Sequence, residues 1–146
     1  MRILNGLILI LLSVCTYTDI RKREISGSLC LLFFVLGFLY RGICGHWWMG
    51  VLEGILRLLP GLLVLFLHVL KKNWIGTGDG ILLLTAGYMA GAEAILRTAL
   101  LAFVISGLAG AALLIAKRKN KTDTLPFAPF LLGAFVTVLI VSAVKE

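Results

Sequence analysis

The sequence predicts an all-α fold: a polytopic membrane protein of six transmembrane helices, with both termini on the extracytoplasmic side. Three observations predict it. The 146 residues are 60% hydrophobic and 14% charged, with a mean hydropathy of +1.05. A soluble domain is nearer 45–50% apolar and about 25% charged, and a chain this short has no core large enough to hide the excess. The apolar residues also fall in runs near the roughly 20 that a crossing helix needs, and the positive charges fall between those runs. The length suits one domain, residues 1–146.

Residues 1–18 form the first run. An arginine followed by a long apolar stretch also fits a removable signal peptide. No A-x-A-like site follows, however, and Val14 precedes Cys15 where a lipoprotein box needs a small residue. The run is therefore read as the first span. Residues 26–40 form a short second span and 51–70 a third. Residues 80–90 are apolar but too short to cross alone; 94–116 and 127–144 complete the set. Each is expected to be helical, because a backbone in lipid must satisfy its own hydrogen bonds.

The net charge of +7 is distributed as a membrane protein requires. Arg21, Lys22 and Arg23 form one cluster, Lys71 and Lys72 a second, and Lys117, Arg118, Lys119 and Lys121 a third. With six crossings the three lie on one side and carry nine of the fourteen Lys and Arg. The positive-inside rule makes that side cytoplasmic and places Trp47 and Trp48 at the outer interface. No aromatic residues interleave with the basic clusters, which argues against nucleic-acid binding.

Other chemistries find little support. Cys15, Cys30 and Cys44 are far apart, with no C-x-x-C pair, so neither a zinc site nor a disulfide framework is expected. His46 and His68 are isolated, with no HExxH motif. No serine lies in a G-x-S-x-G context. Glu53 and Arg57, like Glu93 and Arg97, are spaced i,i+4 and should pair on their helices.

Asp19 and Asp79 instead abut apolar runs on the side of the basic clusters. Asp19 ends the first run in "YTDIRKREIS", and Asp79 opens the fourth in "GTGDG". An interfacial aspartate is ordinarily a cap or a solvated loop residue. The topology, however, puts these two on the same face of the membrane. Two close carboxylates cannot both ionise, so one keeps a proton while the other is charged. Such a pair can activate a water and polarise a peptide carbonyl without metal or cofactor. Helix dipoles suggest that Asp79, at a helix N-terminus, is the charged member and Asp19, at a C-terminus, more often holds the proton. Gly76, Gly78 and Gly80 would allow a tight turn and close approach of a substrate backbone. Pro126 and Pro129 suit a helix start, or hold an irregular loop near the aspartates.

Together with "LPFAPFLLGAF", which contains Pro126, Phe127 and Pro129, these blocks resemble the prepilin peptidases. Those are bacterial membrane aspartic proteases that trim type IV prepilins and pseudopilins. The resemblance spans about residues 15–140. It implies that Asp19 and Asp79 are the catalytic pair, that no metal or cofactor is needed, and that the enzyme sits in the cytoplasmic membrane. It further implies cleavage of a short basic leader, typically after a glycine, before the apolar helix of a prepilin at the cytoplasmic face. Ile81 stands where many relatives have lysine, and Ile25-Ser26-Gly27 where "IPN" is common. Larger relatives carry a cytosolic methyltransferase domain with paired cysteines. This chain is similar to the short peptidase-only form, so methylation is not expected. The GxGD block is also similar to presenilin and signal-peptide-peptidase proteases, but Thr18 separates Tyr17 from Asp19, and their Pro-Ala-Leu block is absent. A non-enzymatic membrane subunit or a proton-coupled transporter using the two carboxylates is the alternative outside the proteases.

Overall fold

The computed structural model describes residues 2–22, 25–43, 51–70, 76–116 and 126–145. Trp47, Trp48, His46, Cys44 and most of the basic clusters lie outside these residues. Within them the chain forms six helices: α1 (Arg2–Lys22), α2 (Gly27–Ile43), α3 (Val51–Leu70), α4 (Thr77–Ala90), α5 (Ala92–Ile115) and α6 (Ala128–Lys145). Three segments are long and apolar enough to cross a membrane: Ile3–Lys22, Glu53–Leu70 and Ala92–Leu113. Large apolar side chains also point outward, among them Leu31, Leu32, Leu62, Phe66, Leu100 and Val104. Water would penalise such a surface, whereas lipid tails accept it.

Helix α4 is the centre of the bundle and packs against α1, α2, α3 and α5. Its Leu82, Leu83, Ala86 and Met89 join Ile8, Leu11 and Leu12 of α1, Ile95 of α5, and Leu131 and Phe135 of α6 in one buried core. This resolves why the fourth apolar run is short. Its 14 residues span only about 21 Å, and protein rather than lipid surrounds them. Small residues let α3 and α4 approach closely. A Cβ on Gly61 would stand 2.5 Å from the Leu84 backbone nitrogen, and one on Gly87 would overlap the carbonyl oxygen of Arg57.

Three boundaries differ from the sequence reading: α4 begins at Thr77 rather than 80, which takes Asp79 into its first turn, and two other helices run on, each for a local reason. Helix α1 continues past Thr18 to Lys22. The Thr18 hydroxyl turns back to the Cys15 carbonyl (3.0 Å) and so spends its polarity inside the helix. Helix α2 continues past Tyr40 to Ile43 because Arg41 folds inward rather than ending the helix. Its Nη2 donates to the Met89 carbonyl (3.2 Å), and its guanidinium lies 5.7 Å from the Tyr88 ring centre. Both expected ion pairs form. Arg57 donates to Glu53 through Nε (3.2 Å) and Nη2, and Arg97 Nη2 meets Glu93 at 2.5 Å. Arg57 is 6% exposed while the Glu53 side chain is 51% exposed, so the first pair reaches from the edge of the core to the surface.

Candidate active site

Helix α1 carries Asp19 in its last turn, and α4 carries Asp79 in its first. Sixty positions separate them in the chain. The packing of α1 on α4 brings them close enough for the charge of Asp19 to act on Asp79. Asp19 is 7% exposed. Among the described residues neither carboxylate has a Lys or Arg partner. The nearby Arg21 instead lies over the Tyr17 ring, 5.2 Å from its centre.

Asp79 lies ahead of the apolar stretch 80–90 and outside the three long apolar segments. Its pKa is pushed up from 3.8 to about 6, first by burial and second by the charge of Asp19. This corrects the expectation drawn from helix dipoles. Gly76, the cap of α4, supplies no side-chain hydrogen bond, and loss of solvation outweighs the few tenths to 1 kcal/mol that a helix terminus contributes.

The third component comes from the start of α6. The backbone N–H of Ala128 donates to Asp19 Oδ2 at 3.0 Å, across 109 positions of sequence. Phe127 caps this helix: its carbonyl accepts from the N–H groups of Phe130 and Leu131, at 3.1 Å each. Its ring stacks on Phe103 of α5 with centres 5.1 Å apart, tying the start of α6 to its neighbour. Pro126 and Pro129 flank the donor on either side. Of the two readings of these prolines, the helix-start one describes Pro129, while Pro126 lies just before the cap. Sequence reasoning named the flanking residues but not Ala128, whose contribution is a backbone group.

The glycines act differently from expectation. Gly76 has φ −70°, so no left-handed turn is needed there. Gly78 and Gly80 are helical and clear space for neighbours. A Cβ on Gly78 would stand 2.7 Å from Cβ of Ile25, and one on Gly80 would stand 2.7 Å from the Leu65 side chain. They seat the first turn of α4 against the segment before α2 and against α3. Gly76 is beside the carboxylate itself, where a Cβ would lie 3.5 Å from Asp79 Oδ2. Among the described residues no cluster of three His, Cys, Asp or Glu side chains could hold a metal ion.

Two interacting carboxyls, Asp19 buried and Asp79 half-buried with a raised pKa, make an arrangement able to move a proton to and from a bound water. Comparison with known proteins bears on what such a site does. Searches of curated proteins and of solved structures give no match. The model of the type IV leader peptidase family matches residues 6–115, a stretch that contains both aspartates and ends before α6. That match covers well over half of the 146 residues, and the chain belongs to the type IV leader peptidase family.

Proposed function

We propose that this peptidase is a membrane aspartic endopeptidase that removes the leader of a type IV prepilin or pseudopilin, with Asp19 and Asp79 activating the water. The observation that supports it best is the coupling of these two carboxyls, brought from distant parts of the chain to one end of the bundle. One carboxylate takes a proton from water as the water oxygen attacks the peptide carbonyl. The other, protonated, donates to the carbonyl oxygen as negative charge develops there. A pair holding one proton up to about pH 6 is suited to that division of labour. The test is the mass of a prepilin-type substrate after incubation with the purified protein. The expected product lacks its basic leader and forms equally in the presence of a chelator. Cleavage by a protein carrying both Asp19→Asn and Asp79→Asn would refute the reading.

The reading also places the site at the cytoplasmic face of the cell membrane, with six crossings and both termini outside. The distribution of Lys and Arg supports this, since the loops next to Asp19 and Asp79 carry clusters of positive charge. The substrate's apolar helix would be recognised between spans, because a basic leader gains little from basic loops. Single cysteines introduced at Lys72 and Lys119 should react with a membrane-impermeant thiol reagent only from the cytoplasmic side, and one at Trp48 only from outside. The reverse pattern would overturn the orientation.

A further inference from the structure

We propose that the end of the bundle away from the aspartates holds the phosphate of an anionic phospholipid, between Arg57, Arg41 and the amino terminus of α5. The site is separate from the carboxylate pair and does not depend on the peptidase reading.

The Arg57 guanidinium is buried but used on one edge only. Its Nε and Nη2 both donate to Oε1 of Glu53. Its Nη1 is buried and has no hydrogen-bond partner among the described residues. An unused donor on a buried cation carries the full desolvation cost of that group, which an anionic acceptor would remove. The guanidinium lies against the turn between α4 and α5. A Cβ built on Gly91 would stand 3.8 Å from both Cζ and Nη1 of Arg57, and glycine, at φ +97°, puts no side chain there.

Helix α5 begins at the next residue and runs for 24. Its first bond to the turn is from the Ile95 N–H to the Gly91 carbonyl, at 3.0 Å. The N–H groups of Ala92, Glu93 and Ala94 come before it, where a helix offers no internal acceptor. Such a helix start attracts anions, and Gly91 has no side chain to cap it. The acidic residue of that first turn, Glu93, does not fill the role. Its side chain is 78% exposed and is bonded to Arg97.

Arg41 brings a second buried cation to the same end. Its Nη2 donates to the Met89 carbonyl at the end of α4, and its charge acts on Arg57, with Glu53 also in range. Two buried arginines thus share one carboxylate among the described residues. The segment 44–50 that joins their helices contains no Asp or Glu. An excess buried charge calls for a counter-charge, and the planar fork of arginine suits phosphate oxygens.

The surroundings favour a lipid as the source of that phosphate. Arg41 lies in the last turn of α2 and Arg57 in the second turn of α3, so both are near the ends of apolar helices. Headgroups lie at that level, and basic pockets between membrane helices hold them. Leu39 and Ile43 beside Arg41, and Ile55 and Leu56 beside Arg57, are exposed apolar side chains on which acyl chains can lie.

Native mass spectrometry of the full chain tests the proposal. The protein is released from neutral detergent containing phosphatidylglycerol or phosphatidylcholine, and its melting is followed in the same mixtures. Wild type should retain phosphatidylglycerol in preference to phosphatidylcholine and melt at a higher temperature with it. Arg41→Gln and Arg57→Lys should each weaken that retention by about tenfold or more and lose the melting shift. Lysine keeps the charge beside Glu53, so Arg57→Lys carries the test if Arg41→Gln does not fold. The double variant Lys71→Gln, Lys72→Gln alters a basic cluster elsewhere and should change neither readout. Equal retention of the two lipids by wild type would overturn the proposal. So would retention that depends on the lysines and not on the arginines. Inorganic phosphate without lipid should not reproduce the melting shift. A shift with phosphate that is lost in Arg57→Lys would assign the site to free phosphate and refute the lipid as its occupant.

Discussion

Asp79→Asn is expected to abolish cleavage and, at the same time, to make the folded protein more stable above pH 6. The loss of activity should be on the order of 10⁴-fold, as when one member of a catalytic unit is removed. Asp19→Asn should cost about the same. The double variant should be no worse than either single one, because groups that act as a unit lose their function together. Asparagine matches aspartate in size, so the substituted helices should pack as before.

The stability gain follows from linkage. The Asp79 carboxyl has its pKa raised from 3.8 to about 6 in the fold. Its favourable contribution is therefore complete below about pH 4 and is lost as the pH rises to 6. Above that, the buried charge costs the wild-type protein up to about 3 kcal/mol, from roughly two pKa units at 1.36 kcal/mol each. Asparagine cannot ionise and avoids the cost. Melting of the purified protein should show Asp79→Asn above wild type at pH 8 and level with it at pH 4. A variant less stable than wild type at pH 8 would show that Asp79 is not held in a desolvated site.

Gly87→Ala is expected to destabilise the bundle by about 3 kcal/mol, the upper part of the range for overpacking. The added Cβ would overlap the backbone carbonyl oxygen of Arg57. A flexible side chain could move aside, but a helix backbone yields only if α3 and α4 separate. Because α4 carries Asp79 and contacts four other helices, that separation should also lower activity. Gly107 and Gly133 provide the control. No atom lies within 4 Å of a Cβ at either position, so alanine there should be neutral or stabilising by up to about 1 kcal/mol. Equal melting temperatures for Gly87→Ala and Gly107→Ala would contradict the close approach of α3 and α4.

Much of this was legible because hydropathy and charge act over whole segments. The order of the six helices followed from the spacing of apolar runs. Asp19 and Asp79 stood out as carboxylates beside apolar runs on the side of the basic clusters. Helix ends were less legible, because polar letters were taken as exits. Thr18 and Arg41 satisfy their polar groups inside the bundle, and their helices continue. The raised pKa of Asp79 was missed because a dipole can be inferred from position along a helix, whereas burial depends on neighbouring helices. The glycines of "GTGDG" suggested a turn, and only packing shows that two of them make room for Ile25 and Leu65. The Ala128 amide had no letter of its own. Its trace in the sequence was the pair of prolines around it.

The central claim is that the Asp19–Asp79 pair holds one proton up to about pH 6. Infrared titration of the protein in lipid, with wild type compared against Asp79→Asn, tests it most directly. The expected result is a protonated carboxyl that titrates near pH 6 in wild type and is missing from the variant, given a folded-state pKa of about 6 for Asp79. A carboxyl band that is fully ionised by pH 5 in wild type, or one that persists unchanged in Asp79→Asn, would contradict it.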